Sequence, residues 1–443
     1  MGLRTTGGNV PETSPAEPAV PRGYAWLVFA LSFGLLLSDY MSRQVLNAVF
    51  PLLKAEWLLS DAQLGSLSGI VALMVGVLTF PLSLLADRWG RVRSLVIAAV
   101  VWSLATLGCA VSADYGEMFL GRFMVGVGEA AYGSVGIAVV LSVFPVTLRA
   151  TLSGAFIGGG AFGSVLGVSI SGVAAQQLGW RWAFGIMGIF GLALAAIYAL
   201  VVRERRLAPS PGALGKTPDR RTAVRSLLPG LFSSVSVVCA YVGSGLQMFV
   251  AMALMAWTPS FFSRYYSMAP AGAGVAAGAF ALITGVGMIV GGVVSDRLSR
   301  RSAARKWTVA ITCSLGSLVF LMTGFLLPAG VPQLVLIGAG ALLCNATAGP
   351  AAAMVANLTP ASVAATAMAT LTLANSLLGL APGPAVTGML ADRHGLLGAL
   401  RLVPLAALAA GAVFTVGRRS YEKDLRRLGP LPDVPLKNLE PQP

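Results

Sequence analysis

The chain is poor in the residues on which most soluble enzymes depend. Of its 443 residues only 11% are charged and one, His394, is a histidine, whereas an ordinary globular chain carries about 25% charged residues. A single histidine leaves little room for His-based metal binding or acid–base chemistry. The four cysteines, Cys109, Cys239, Cys313 and Cys344, sit inside apolar runs without C-x-x-C spacing. They read as small core residues, which excludes a disulfide framework and a thiolate metal site. There is no G-x-x-x-x-G-K-[ST] loop to cradle a nucleotide, and no H-E-x-x-H or G-x-S-x-G set. An ATP motor and an embedded enzyme are therefore unsupported, and neither cofactor nor metal is expected.

What the chain does have is apolar length. Hydrophobic residues make up 56% of it, and mean hydropathy is +0.79. A spanning helix takes about 20 apolar residues, and twelve runs meet that need. They fall at about 24–52, 61–86, 94–112, 118–144, 151–176 and 182–202, then at 235–262, 271–294, 308–328, 333–357, 364–390 and 396–417. None alternates in the manner of a strand, so an all-α membrane protein with twelve transmembrane helices is expected.

The formal net charge of +14 could suggest a nucleic-acid partner, but its placement argues for topology instead. With both ends on one side of the membrane, the segments on that side hold 24 of the 31 Lys and Arg residues. By the positive-inside rule that side is cytoplasmic. The expected division is a cytoplasmic N-terminal tail (1–23), a first six-helix bundle (24–202), a basic cytoplasmic linker (203–228), a second bundle (229–417) and a cytoplasmic tail (418–443). The N-terminal stretch is polar and Pro-rich, so it reads as a tail and not a cleavable signal.

Two repeats point to duplicated halves. Leu85-Ala86-Asp87-Arg88-Trp89-Gly90-Arg91 after span 2 recurs in weaker form as Val294-Ser295-Asp296-Arg297-Leu298-Ser299-Arg300 after span 8. Gly163, Gly167, Gly172 and Gly179 of span 5 and its exit are matched 216 positions later by Gly379, Gly383, Gly388 and Gly395. Paired halves around a midplane cavity are common among secondary transporters.

At these residues the chain resembles the major facilitator superfamily across 24–417. The D-R-x-G-R loop after span 2 is similar to that superfamily's signature, with Ser83 where its leading glycine usually stands. Gly121-Arg122-Phe123-Met124-Val125-Gly126-Val127-Gly128-Glu129-Ala130-Ala131-Tyr132 in span 4 resembles the Spinster-like branch. So do Tyr40-Met41-Ser42-Arg43 in span 1 and Leu377-Leu378-Gly379-Leu380-Ala381-Pro382-Gly383-Pro384 in span 11. Where that branch usually has an Asp before the span-1 Arg, this chain has Ser42, and its nearest acid is Asp39. The resemblance implies two pseudo-symmetric bundles, alternating access, and spans 1 and 4 on the central cavity. It also implies a gating role for Asp87, Arg88, Gly90, Arg91, Asp296 and Arg297, whose simpler reading is topology alone.

Asp39, Arg43, Arg122 and Glu129 are the ionisable residues well inside predicted spans. Each costs about 2.5–3.5 kcal/mol at the bilayer centre on insertion scales. Asp39 and Arg43 share a helix face, and so do Arg122 and Glu129. They serve either as a proton site, with Glu129 taking up and releasing the proton as an arginine moves, or as ion pairs that lock helices. Tyr132, Tyr241, Gln247, Trp257, Asn345 and Asn375 are polar or aromatic positions that contact cargo or bond between helices. The expected partners are a small organic or amphiphilic solute, protons and the lipid bilayer of the cell inner membrane. A lysolipid-type carrier without strict proton coupling, or a membrane receptor or scaffold, are the rivals. A monomer with no nucleic-acid partner is expected.

Overall fold

The computed structural model describes residues 20–130, 132–206, 232, 234–299, 302, 304–359 and 364–427. The first half comprises α1 (Arg22–Trp57), α2 (Asp61–Trp89), α3 (Arg91–Val111), α4 (Tyr115–Glu129), α5 (Tyr132–Val143), α6 (Val146–Leu178) and α7 (Trp180–Val201). The second comprises α8 (Val235–Tyr265), α9 (Pro270–Ser299), α10 (Arg305–Leu326), α11 (Val331–Asn345), α12 (Ala348–Leu358), α13 (Ala364–Asn375), α14 (Pro382–Leu402) and α15 (Leu405–Arg427). Nine described helical segments are long and apolar enough to cross a bilayer on their own. The remaining spans are interrupted. Span 4 is α4 plus α5, and span 11 is α13, a π turn at Ser376–Leu380 and the start of α14.

Helix ends follow from local chemistry. Ser60 and Gln63 form a capping box at the start of α2, and Asp114 accepts from the Glu117 amide at the start of α4, so each carboxylate or hydroxyl fills an orphan donor. Between α2 and α3 the chain reverses at Gly90, whose φ of 95° suits a residue without Cβ. Gly395, at φ 72°, breaks α14 internally, so span 11 ends there. Span 12 is the rest of α14 continuing into α15. The last helix continues to Arg427, ten residues past the expected end of the span at 417.

The four glycine pairs test the duplication in three dimensions. A Cβ on Gly163 or Gly167 would meet Tyr40 and Met41 of α1, and one on Gly379 or Gly383 would meet Met248 and Phe249 of α8. Gly172 packs across the halves on Pro270 and Gly274, and Gly388 packs across on Asp61 and Ala62. Gly179 and Gly395 are the positive-φ turns that open span 6 and span 12. Each pair does the same job in its own half, so the fold is two pseudo-symmetric six-helix bundles. Small residues allow these backbone approaches in a medium where hydrophobic burial cannot drive helix association.

Candidate functional site

The four intramembrane charges converge between α1, α2 and α4. Arg43 Nε lies 2.8 Å from Glu129 Oε2, and its NH2 lies 3.3 Å from both Asp39 carboxylate oxygens. The Ser42 hydroxyl, in place of the branch's usual acid, donates to Glu129 Oε1 at 2.8 Å. Asp39 supplies its carboxylate from one turn earlier in the helix. The Tyr40 ring sits 5.1 Å from the Arg43 guanidinium carbon, close enough for a cation–π contact. Glu129 and Asp39 are buried, while the Arg43 side chain keeps 25% of its surface open.

Arg122 is placed differently from the charge partner that its spacing suggests. Fully buried, it donates to the carbonyls of Ser42 at 2.9 Å, Arg43 at 3.3 Å and Leu67 at 3.4 Å. It staples α4 to α1 and α2 by three backbone acceptors. Arg43, and not Arg122, is the guanidinium against Glu129. The seven-residue spacing of Arg122 and Glu129 could show a shared face but not who meets whom.

The other expected contacts divide. The Tyr132 hydroxyl donates to the Ser32 carbonyl, and its ring meets Trp102 edge-on at 5.3 Å within the first half. Trp257 is buried and its indole donates to the Pro384 carbonyl at 3.1 Å. Its ring lies 5.2 Å from Phe50 of α1, so it plugs the seam between the halves. Tyr241 is buried on α8, and Gln247, two turns on, accepts from the Cys344 thiol at 3.2 Å. Among the described residues the Tyr241 hydroxyl, the Gln247 amide nitrogen and the Asn375 carbonyl oxygen have no hydrogen-bond partner. Asn345 ends α11, half-buried, and Asn375 ends α13 just before the π turn.

The signature loop lies at the end nearer the termini. Arg88 is exposed, and the backbone N–H groups of Arg91 and Val92 donate to Glu204 at 2.8 and 2.7 Å. Asp296 and Arg297 are exposed at the end of α9. The side chain of Asp87 lies outside the described residues, as do the tails at 1–19 and 428–443 and the linker from 207 to 231.

Sequence reasoning missed a second cluster at the opposite end. There Asp61 accepts from Lys54 at 2.6 Å and from both terminal nitrogens of Arg264 at 2.6 and 2.8 Å. Asp392 of the second half accepts from the backbone N–H groups of Asp61 and Ala62 at 2.7 and 2.9 Å. With Phe50 against Trp257, and Gln176 accepting from the Ala271 amide, these contacts seal the halves together away from the termini. A signal for Asp392 was present. Leu390-Ala391-Asp392-Arg393-His394-Gly395 repeats Leu85-Ala86-Asp87-Arg88-Trp89-Gly90 except at one position.

Residues 32–384 match the Major Facilitator Superfamily. The chain belongs to that superfamily. As one of its members it is a multi-pass membrane protein and a secondary transporter, and it is Spinster-like. Protein spinster homolog 1 of Xenopus laevis is 26% identical over 389 residues, covering 83% of this chain and 73% of that protein. The hexuronate transporter of Bacillus subtilis is 22% identical, covering 64% and 68%, and a sphingosine-1-phosphate transporter of Danio rerio is 26% identical, covering 66% and 60%. Among solved structures, an inward-facing, unoccupied bacterial homolog of the human lysosomal transporter Spinster superposes with TM-score 0.83 at 21% identity, covering 91% of this chain and 99% of that one. A D-xylose-proton symporter superposes with TM-score 0.69 at 18% identity, covering 88% and 96%.

Proposed function

We propose that this transporter moves a small organic solute by alternating access, coupled to protons, as a monomer in the cell inner membrane with both termini cytoplasmic, and that it performs no enzymatic step. The bodies 24–202 and 229–417 rock about the seam, tethered by the linker at 203–228. With that orientation the Asp61 cluster closes the outer side, and the basic loop carrying Asp87, Arg88 and Arg91 works at the inner side with Asp296 and Arg297.

One observation carries the proton role. Glu129 is buried with its Oε2 2.8 Å from Arg43 Nε, and the same guanidinium is shared with a second buried carboxylate, Asp39, at 3.3 Å. An oxygen in that position can take a proton and release Arg43 to Asp39 or to an anionic group on the solute. When the proton leaves, the ion pair forms again. Burial disfavours the charged carboxylate and a nearby guanidinium favours it, so a small movement of Arg43 decides which form prevails. Arg122 holds the helices in register for this exchange.

The test is transport by reconstituted vesicles under an imposed pH gradient, using solutes found by a thermal-shift screen of organic acids, amphiphiles and drugs. Glu129→Gln is expected to insert normally and to lose gradient-dependent accumulation at least tenfold. Accumulation that still follows the gradient in this variant removes the proton role.

The lysolipid-type alternative is favoured by a specific feature, the aromatic stripe on α1. Trp26, Phe29 and Phe33 follow one another at centroid distances of 5.8 Å, on the helix face that leads to Tyr40 and Arg43. An acyl chain could lie along it with its head at Arg43. Movement of a lysolipid at the same rate with and without a pH gradient would favour this reading.

A further inference from the structure

The same contacts that establish the duplication also say which residue of the second half stands where each charge of the first half stands. On α1, Leu37, Tyr40 and Met41 meet Gly163 and Gly167; on α8, Gly245, Met248 and Phe249 meet Gly379 and Gly383. The positions run 37 to 245, 40 to 248 and 41 to 249, a constant step of 208. Asp39 therefore corresponds to Gln247, and Arg43 to Ala251. For the next pair, α4 (Tyr115–Glu129) and α11 (Val331–Asn345) have both bounds 216 apart, and each ends at a break in its span. Gly126 against Val71 matches Leu342 against Gly287 at the same step. Glu129 thus corresponds to Asn345, and Arg122 to Gly338.

Both acids are replaced by amides, and both arginines by residues with almost no side chain. The contacts of Gln247 agree with the assignment. Gln247 reaches the last turn of α11 at Cys344, as the Asp39–Arg43 pair reaches Glu129 at the last turn of α4. The position of Arg122 in the second half is loosely filled. A Cβ on Gly338 would meet nothing nearer than Ile283 Cδ1 at 3.6 Å. The Gln247 side-chain nitrogen is buried without a partner among the described residues, and a buried donor left unpaired is unfavourable.

We infer that Gln247 and Asn345 form a cargo-selecting subsite, the uncharged twin of the Asp39–Arg43–Glu129 cluster, whose amide donors take an oxygen acceptor of the solute such as a carboxylate or phosphate oxygen. The first half titrates and the second half recognises. Because Gln247 and Asn345 are uncharged amides, their grip on the solute is independent of the proton on Glu129. This rests on the transport reading above, and the two fail separately, since the Glu129 test varies the pH gradient and the present one holds pH fixed.

The experiment uses the full chain in nanodiscs with two probes that share a chain, dodecyl phosphate and dodecyltrimethylammonium. The wild type is expected to be stabilised more by the phosphate, Gln247→Glu to reverse that order because it swaps a donor for an anionic acceptor, and Gln247→Leu to respond at least tenfold more weakly to the phosphate. In parallel, Asn345→Cys and Arg43→Cys, each in a background with the four native cysteines replaced by Ala, are labelled by a membrane-impermeant thiol reagent from the termini side. Rates within about fivefold of each other are expected for walls of one cavity. An unchanged order of the two probes in Gln247→Glu, a flat response in both proteins included, overturns the inference. So does an Asn345→Cys that stays unlabelled while Arg43→Cys reacts.

Discussion

Among the described residues three helix N-termini are closed by a carboxylate from elsewhere in the chain, and they differ in where that carboxylate comes from. Glu204 binds the first amides of α3. Asp424 accepts from the Ser236 amide and from the hydroxyls of Ser234 and Ser236 at the start of α8. Each caps the half that it directly follows in the chain. Asp392 instead reaches across to α2. The chemistry is shared, a negative group at the positive end of a helix dipole, but the duty is not. A cap inside one rigid body survives every conformational change, whereas a cap across the seam has to break whenever the halves part. The cross-half contact is thus a candidate for setting which side is open, and the same-half caps for setting stability alone.

The largest effect expected from this contrast is at Asp61. Asp61→Asn leaves Lys54 and Arg264 facing each other without their shared anion. Removing one partner of a buried pair costs about 3–5 kcal/mol, reduced to about 2 kcal/mol here because the Lys54 and Arg264 side chains keep 37% and 26% of their surface exposed. That is a roughly thirtyfold shift toward the state open away from the termini, read as labelling of a cysteine placed behind the seam. Asp424→Asn comes next. Losing a charge-assisted cap with several donors is expected to destabilise the protein by about 2 kcal/mol, visible as a lower melting temperature, with sidedness unchanged. Asp392→Asn should move sidedness about fivefold, near 1 kcal/mol, with little change in melting. Glu204→Gln, at an exposed cap, should lower stability by about 0.5 kcal/mol and leave labelling as in the wild type. A sidedness change in Asp424→Asn or Glu204→Gln, equal to that in Asp392→Asn, would erase the distinction.

The spans were legible in the sequence because a bilayer demands long apolar runs, and the duplication because glycine is the residue that close backbone packing cannot replace. The constant step between Gly163 and Gly379, and between Gly179 and Gly395, survived where side chains had diverged. Charge partners were less legible. Nothing in the order of residues says that Glu129 meets Arg43 while Arg122 turns to three carbonyls, since backbone acceptors carry no sequence signature. The seam away from the termini escaped for another reason. Asp61 and Arg264 are single charges at span ends that no motif marks, and the repeat that contains Asp392 does not name its partner. Residue type leaves Trp257 open between a cargo contact and an interhelical bond, and the packing on Phe50 shows that its ring fills the seam.

The mid-membrane charges of the described structure all belong to the first half. Their formal charges cancel while both acids are ionised, and one positive charge remains once Glu129 is protonated. On the proposed proton reading, an electric potential across the bilayer pulls on this cluster in its protonated state and on no corresponding cluster of the other twin. Voltage would act on this machine through a single lever arm, and only while that arm is loaded.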